Sequence, residues 1–332
     1  MRRIAVGFGV LTAALALTGL AGAGSKDGSL SIVAYSTPRT VYGKIIQAFQ
    51  QTPDGHGVSF TQSYAASTDQ ARAVAAGLKA DLVFLSTGDD VNILVDAGLV
   101  DPSWDRQSYK GIEADTVVVF AVRNGNPKHI KSWADLVKPG VQVVTPNPYS
   151  SGSAKWNILA AYGAQRRLGK TDAQAQAYVK QLFQHVVSQD TSGRNATNTF
   201  LSGKGDVLLT YESEALTSRA AGTDIQYVIP RQTMLIELPI AVLKSSPNKD
   251  LANRFIRFTK GPVAQDLFGQ YGWRPVNPAV AKKFAEKYPT RPGIFRIDDP
   301  IFGGWRAVDK KWFAPNGLMA GIERSVGGPT SG

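Results

Sequence analysis

The sequence contains no cysteine and only three histidines and three methionines in 332 residues. Without cysteine the chain forms no disulfide, offers no thiolate to a metal ion and has no cysteine nucleophile. The histidines are His56, His129 and His185, and they show no His-x-x-His or His-Glu-x-x-His spacing, so surface positions are predicted for them. P-loop, dinucleotide and nucleophile-elbow fingerprints are absent as well. The sequence therefore lacks the motifs of the enzyme classes that are easiest to recognise from sequence.

Acidic residues are fewer than basic ones, 26 against 37, and the formal net charge is +11. The basic residues are spread singly or in pairs along the chain and form no block, so a nucleic-acid-binding surface is not predicted. This distribution indicates a solvated basic surface with some attraction for anionic ligands.

Long apolar runs are also scarce, since the only one spans residues 4–20. Arg2 and Arg3 precede it and the small residues at 21–23 follow it, which is typical of a secretory signal peptide. A transmembrane anchor is the alternative, although the run is only marginally long enough to span a membrane. The lack of cysteine at the cleavage point excludes a lipid anchor. We predict a signal peptide over residues 1–23 and export to the periplasm.

The rest of the chain alternates short β-rich runs with helical patterns. The predicted strands are 31–35, 57–60, 80–85, 116–122, 141–144, 206–211 and 237–243, and the predicted helices are 40–49, 68–78, 90–97, 153–168, 171–183, 195–201, 250–258 and 262–271. This alternation predicts an α/β fold with parallel sheets.

Two of the predicted strands, 116–122 and 237–243, are long enough to cross between two lobes and to serve as hinge strands. Lobe I would then comprise residues 24–115 and 240–332, and lobe II would comprise residues 116–239. A central cleft is expected between the lobes, because ligand sites of open α/β sheets lie at the carboxyl ends of strands. The Gly-rich tail that begins at Pro315 is expected to be loose.

Small hydroxyl residues and glycines surround four of the predicted helix starts. The four segments are 35–39, 63–68, 145–153 and 190–194. Helix N-termini expose unpaired backbone N–H groups and carry a partial positive charge, so several of them at one cleft form an anion site. A fully ionised tetrahedral dianion needs such donors and no buried carboxylate. Ordinary N-capping explains each segment equally well, and the spacing alone does not decide between the two interpretations.

One of these segments continues into a longer motif. Residues 147–157 have the sequence NPYSSGSAKWN, which resembles the signature N-P-x-S/T-S-G-G-A-R-W-N of the bacterial sulfate- and thiosulfate-binding proteins. Further stretches match in the family's order: Gln62, Ser63, Ser67 and Gln70, VRNGNP at 122–127, GRNATNTF at 193–200, GDVL at 205–208 and FGGW at 302–305. The resemblance covers nearly the whole chain after residue 23.

The resemblance implies an α/β, two-lobed type II periplasmic-binding-protein fold with two crossing hinge strands and a central cleft. It implies a periplasmic solute-binding protein, not an enzyme, that captures sulfate or thiosulfate and delivers it to the membrane permease of an ABC importer. No cofactor, no metal and no nucleic acid is expected, and the expected state is a monomer.

Carried over position by position, the resemblance also assigns the donors to the anion. They are the backbone N–H groups of Ser36, Ser151, Gly152, Ser153 and Gly193, the hydroxyls of Ser67 and Ser151, and the side chain of Tyr211. Three cations lie close in sequence to these helix starts: Arg39, Lys155 and Arg194. They are expected to influence the electric field at the site without touching the ligand.

Four departures from the family's pattern leave the identity of the anion open. The family has Asp at Ser36, Gly at Ser153, Ser-Gly-Lys at 67–69 and an indole donor at Tyr211. Molybdate is one alternative, because molybdate-binding proteins of the same fold use a tyrosine. Hydrogen phosphate is another, because phosphate binders use a carboxylate to accept its proton and Asp69 offers one.

Glu212 and Glu214 are the remaining candidates for chemistry. Two carboxylates two residues apart could serve acid–base catalysis in a secreted α/β enzyme. Ion pairs or helix capping explain them as well, and Ser67 and Ser151 have no candidate base nearby in sequence. An enzyme is therefore the remote alternative.

Overall fold

A computed structural model describes residues 28–331, and the predicted signal peptide, residues 1–23, lies outside this range. The described chain forms eleven strands: β1 (Ser29–Tyr35), β2 (Ser59–Ala65), β3 (Leu82–Phe84), β4 (Ile112–Arg123), β5 (Val143–Pro146), β6 (Val186–Asp190), β7 (Val207–Tyr211), β8 (Ile225–Val228), β9 (Thr233–Val242), β10 (Arg274–Pro275) and β11 (Ile294–Phe295).

Twelve α-helices lie in the same range: α1 (Arg39–Gln50), α2 (Ser67–Ala75), α3 (Gly88–Asp96), α4 (Gly152–Arg167), α5 (Asp172–Gln184), α6 (Gly193–Leu201), α7 (Glu212–Ala220), α8 (Lys249–Thr259), α9 (Pro262–Gln270), α10 (Pro278–Lys283), α11 (Trp305–Val308) and α12 (Leu318–Val326). Among them, α4 is buried over most of its circumference. Each helix within 28–331 falls short of the length or the apolar character of a membrane span.

The first three strands form a parallel sheet. β1 lies between β2 and β3, with Tyr35 opposite Ala65 and Ala34 opposite Phe84. α1 returns over this sheet because Val41, Ile45 and other apolar residues share one of its faces. Parallel strands end at the same edge, so the segments that follow β1, β2 and β3 meet there.

A second parallel group repeats this arrangement. β5 lies between β6 and β7, with Pro146 opposite Asp190 and Val144 opposite Leu208. The chain segments after β5, β6 and β7 therefore also meet at one edge. The helices α4, α6 and α7 begin at that edge.

Two long antiparallel strands, β4 and β9, join the two groups. Asp115 of β4 lies opposite Glu237 of β9. Beyond this pairing, β9 continues along β3 and β4 continues along β7, which gives the strand order β2-β1-β3-β9-β4-β7-β5-β6. The predicted α/β architecture with two crossing strands is confirmed.

Several elements differ from the sequence-based expectation in extent or were not predicted. β2 continues to Ala65, although the predicted strand ended at residue 60, and none of its residues is buried, so the strand has no strong apolar signal. β6 and α7 were missed, since β6 is only half-buried and α7 begins with three polar residues at 212–214. In both cases tertiary contacts decide the structure more than local apolar periodicity does.

The C-terminal segment is ordered into the fold, so the expectation of a loose tail is wrong. Met319, Ala320 and Ile322 of α12 are buried. α12 packs against α5, and Trp312 contacts the ring of Tyr162 in α4 at a centroid distance of 4.9 Å. The segment thus lies on helices of the proposed lobe II although its sequence position was assigned to lobe I.

Candidate functional site

The two strand edges face each other, and the segments that follow the strands meet between them. From the first group come Ser36 after β1, Ser67 after β2 and Ser86 after β3; from the second come Ser151–Ser153 after β5, Gly193 after β6 and Tyr211 at the end of β7. All of these except Ser36, which is half-buried, are buried. The residues that were predicted to supply donors are thus brought to one place. The expectation for the backbone N–H of Ser151 is wrong in this structure, because that group donates to the carbonyl oxygen of Asn147 at 3.0 Å.

The start of α4 is the clearest feature of the site. Its N-cap residue, Ser151, makes no capping hydrogen bond to the helix, and its hydroxyl pairs with the Ser153 hydroxyl at 3.0 Å. Within the described chain, the backbone N–H groups of Gly152 and Ser153 have no acceptor. A buried helix end without partners is rare in proteins, because each unsatisfied N–H loses its hydrogen bond to water. N-capping therefore does not explain this segment.

Gly152 also lies close to residues of the first group of strands. A Cβ atom added there would lie 2.8 Å from Asp90 Oδ2 and 2.8 Å from Ser86 Cβ. Asp90 and Ser86 belong to the first group, whereas Gly152 belongs to the second. The residue at 152 must therefore lack a side chain for the two sides to meet as they do here.

Gly193 lies next to Ser153, and Ser36 lies next to the start of α6. A Cβ atom at Gly193 would lie 2.9 Å from Ser153 Oγ. The backbone N–H of Arg194 donates to Ser36 Oγ at 3.4 Å, and its guanidinium donates to the carbonyl oxygen of Thr37 at 3.4 Å. Arg194 thus connects the start of α6 with the start of α1 across the cleft.

The start of α2 contributes differently. The N–H groups of Thr68 and Asp69 donate to the carbonyl oxygen of Ser150 at 3.1 and 3.4 Å. The Ser67 hydroxyl donates to Asp90 Oδ2 at 2.6 Å. The polar groups at this helix start are therefore occupied by the protein, and Ser67 must turn away from Asp90 to donate to a ligand.

Two acidic residues and a lysine lie behind the site. Asp90 is fully buried and accepts hydrogen bonds from Ser67 and Thr68. Lys155 of α4 is paired with Asp89 and lies 3.9 Å from Asp90 Oδ1. Burial opposes the charge of Lys155, but the carboxylates of Asp89 and Asp90 outweigh it and raise the pKa of the amine. Lys155 thus remains charged, and its amine contacts these carboxylates instead of the space next to Gly152.

Tyr211 lies deep in the site, and a residue that the sequence analysis did not name lies beside it. The Tyr211 hydroxyl is 2.5 Å from the Ser86 hydroxyl. Burial raises the pKa of Tyr211 well above its ordinary value, so its phenol stays protonated. The sequence signal that could have identified Ser86 was its position, because Ser86 follows the predicted strand 80–85 just as Ser36 follows the predicted strand 31–35.

The remaining predicted cation, Arg39, and Asp69 lie farther out. Arg39 is exposed and rests 4.5 Å above the ring of Tyr64. The Asp69 carboxylate is 45% exposed and pairs with Arg72 at 3.7 Å. Both Arg39 and Asp69 line an open cavity of about 640 Å³ at the mouth of the cleft. Asp69 is therefore at the entrance and not among the buried donors.

The candidates for enzyme chemistry have structural partners. Glu212 accepts from the guanidinium of Arg274 at 2.8 and 3.2 Å, and Glu214 pairs with Arg194 at 3.1 Å. His56 and His129 are exposed, and the half-buried His185 pairs with the carbonyl oxygen of Val141 at 3.0 Å. Across residues 28–331 no cluster of three or more His, Cys, Asp or Glu side chains is arranged to hold a metal ion.

Comparison with known proteins places this chain in a family. The sulfate-binding protein of Salmonella typhimurium is 35% identical, and the match covers 98% of this chain and 100% of that protein. The thiosulfate-binding protein of Pseudomonas aeruginosa is 34% identical, with 93% and 96% covered. Both relatives are named for binding and not for a reaction.

A solved structure agrees with these sequence matches. The sulfate-binding protein SubI from Mycobacterium tuberculosis superposes with a TM-score of 0.83 at 45% identity, covering 85% of this chain and 98% of that one. The type II periplasmic-binding-protein fold is thereby confirmed. The family model described as bacterial extracellular solute-binding protein matches residues 30–274. The chain therefore belongs to the bacterial extracellular solute-binding proteins, and its relatives include sulfate- and thiosulfate-binding members.

Proposed function

We propose that this protein binds sulfate or thiosulfate between its two lobes and delivers the anion to an ABC importer. The observation that carries the proposal is the buried start of α4, where the N–H groups of Gly152 and Ser153 have no acceptor within the described chain. An oxyanion supplies acceptors to these groups and gains the positive end of the helix dipole. The names of the relatives point to the same class of ligand.

The ligand charge would be balanced mainly by N–H groups and hydroxyls. Lys155 and Arg194 are already paired with carboxylates, so neither offers the ligand an uncompensated cation. The buried Asp90 lies close to Gly152, but its oxygens accept from Ser67 and Thr68. Its charge is thus compensated within the protein, which lessens its repulsion of a dianion.

Lobe closure would follow from donors on both sides of the cleft. Ser36 and Ser67 belong to lobe I, whereas Ser151 and Gly193 belong to lobe II as proposed. A ligand that reaches both sets binds the closed form better than the open form and shifts the equilibrium toward closure. The antiparallel pairing of β4 with β9 provides the two connections about which the lobes would move.

The other properties follow the same proposal. The protein would act in the periplasm after removal of residues 1–23, as a monomer without cofactor, metal or nucleic acid, and without catalysis. Its macromolecular partner would be the membrane permease of the importer. Glu212 and Glu214 both form ion pairs with arginines, which favours a binding protein over acid–base catalysis.

Molybdate is the second candidate ligand, because a tyrosine, Tyr211, stands at the position where the family has an indole. Hydrogen phosphate is a weaker candidate, since Asp69 lies at the cleft mouth with its carboxylate 45% exposed. Asp90 is the carboxylate nearer the donors, but both of its oxygens already accept hydrogen bonds.

Calorimetric titration of residues 24–332 with sulfate, thiosulfate, molybdate and phosphate, at pH 7 and at pH 5, tests the proposal. We expect tight binding of sulfate or thiosulfate at both pH values, because the donors are N–H groups and hydroxyls, and the phenol of Tyr211 stays protonated. A preference for molybdate or phosphate would replace the proposed ligand. If none of the four anions binds, the proposed function is wrong.

A further inference from the structure

Ser86 is at the centre of the polar contacts between the two lobes. Its backbone N–H donates to Ser67 Oγ at 2.8 Å, and its carbonyl oxygen accepts from Trp156 Nε1 at 2.7 Å. Its hydroxyl lies 2.5 Å from that of Tyr211 and 2.9 Å from a Cβ atom added at Gly152. Ser86 therefore contacts residues at three of the predicted donor positions and is itself 1% exposed.

The protons of the Ser86–Tyr211 pair do not all have acceptors. The two hydroxyls carry two protons, and the hydrogen bond between them uses one. Neither hydroxyl has another partner in the described chain. Whichever residue donates within the pair, the other keeps a buried proton that needs an acceptor, and a buried unsatisfied donor is costly.

The chemistry of the two hydroxyls favours one direction. A phenol is the more acidic hydroxyl and the better donor, so Tyr211 is expected to donate to Ser86 Oγ. A hydroxyl that accepts such a bond becomes a stronger donor itself, because hydrogen bonds in a chain polarise one another. The free proton is then on Ser86, next to the start of α4.

Taking the proposed function as the basis, we propose that Ser86 is a ligand-binding residue of this site that donates its hydroxyl proton directly to the anion. Tyr211 is then a positioning residue that acts through Ser86. The pair replaces the single indole donor expected at this position with a two-residue relay, one residue from each lobe. Which anion the site prefers depends on Ser86 as well as on Tyr211.

The test is a double-mutant cycle of Ser86→Ala and Tyr211→Phe, titrated with sulfate, thiosulfate and molybdate. We expect Ser86→Ala to weaken sulfate binding about tenfold to a hundredfold, the scale of a hydrogen bond to a charge. Tyr211→Phe alone should weaken binding less, and in the Ser86→Ala background it should change affinity by less than about twofold.

Two results would overturn the assignment. One is sulfate affinity of Ser86→Ala within about twofold of the unaltered protein. The other is a loss in Tyr211→Phe that exceeds the loss in Ser86→Ala and persists in the double variant, which would make Tyr211 the direct donor. If the unaltered protein binds sulfate in either case, the proposed function survives; if it binds none of the anions, both proposals are wrong.

If Ser86 only held the lobes together and did not touch the ligand, Ser86→Ala would weaken sulfate binding and molybdate binding by the same factor. If Ser86 contacts the ligand directly, the loss of affinity depends on the size of the anion. We expect Ser86→Ala to change the ratio of the two affinities by about threefold or more; equal factors would contradict the ligand contact.

Control variants separate this effect from general damage. Ser218→Ala removes another buried serine hydroxyl, which has no hydrogen-bond partner in the described chain, and it should leave all affinities unchanged. Ser86→Cys keeps a side chain of similar size with a weak donor and should resemble Ser86→Ala in affinity. Thermal unfolding of each variant checks that the fold is retained.

Discussion

The starts of α2 and α4 look alike in sequence but differ in the structure. Both follow a strand, both contain serine, and neither is capped by a side chain. At α2 the amides of Thr68 and Asp69 are satisfied by the carbonyl oxygen of Ser150, a residue of the other lobe. At α4 the amides of Gly152 and Ser153 are satisfied by nothing in the described chain.

The difference shows that a hydroxyl-rich helix start can serve two purposes. The start of α2 holds the lobes together through protein–protein hydrogen bonds, and it binds Asp90 through Ser67. The start of α4 leaves two buried N–H groups without an acceptor in the described chain, and we propose that a ligand occupies them. Binding and closure are therefore expected to depend on different residues, and substitutions at the two helix starts should have different consequences.

The largest effect is expected from Lys155→Met, which removes the cation that α4 places against Asp89 and Asp90. Removing one partner of a buried ion pair costs about 3–5 kcal/mol, because the remaining charge is left unpaired. The cost should apply mainly to the closed form, so sulfate affinity measured by calorimetry should fall by at least about a hundredfold. Lys155→Arg keeps the charge and should lose much less; equal affinities for Lys155→Met and the unaltered protein would contradict a closed-form role of this pair.

Gly152→Ala should have the next largest effect. The added Cβ atom would lie 2.8 Å from Asp90 Oδ2 and from Ser86 Cβ, so the lobes could not approach as closely. Overpacking of this kind costs about 1–3 kcal/mol, which corresponds to roughly a tenfold to hundredfold loss of affinity. Gly43→Ala is the matched control, since Gly43 lies in α1 with open space around its Cβ position and should retain full affinity. Tight binding by Gly152→Ala would show that closure does not bring α4 against Ser86.

Ser151→Ala and Ser67→Ala compare the two helix starts directly. Ser151→Ala should weaken sulfate binding by roughly 1–3 kcal/mol, since it removes a donor to the ligand. Ser67→Ala should lower the free energy of unfolding by a similar amount, because it leaves Asp90 with one donor fewer. Titration and urea unfolding of both variants measure the two effects. If Ser67→Ala leaves stability unchanged, the role assigned to α2 is wrong.

The smallest effect is expected from Asp69→Asn. The Asp69 carboxylate is 45% exposed and pairs with a side chain that is also exposed, and such ion pairs contribute only about 0–1 kcal/mol. Affinity for sulfate and discrimination against phosphate should therefore change by less than about twofold. A clear gain of sulfate affinity in this variant would instead place Asp69 in electrostatic contact with the ligand.

Much of the architecture was predictable from sequence because it rests on local patterns. The strand and helix alternation, the two long crossing strands and the start of α4 all have clear apolar periodicity or a specific motif. Of the elements that were missed, β6 is short and half-buried and α7 begins with polar residues, so both become ordered through their neighbours. The helix α12 has an apolar face that is buried, and its signal was overlooked because the tail was expected to be loose. Their positions depend on contacts between residues that are far apart in the chain.

The sequence by itself determined the fold and nominated the donors, because strand–helix alternation and the motif at 147–157 are local properties. Only the tertiary structure decided which donors remain free. Whether an amide has a hydrogen-bond partner depends on which groups of the opposite lobe lie next to it. At α2 this partner is the carbonyl oxygen of Ser150. The same holds for Ser86, whose importance arises from its distance to Tyr211, 125 positions later in the chain.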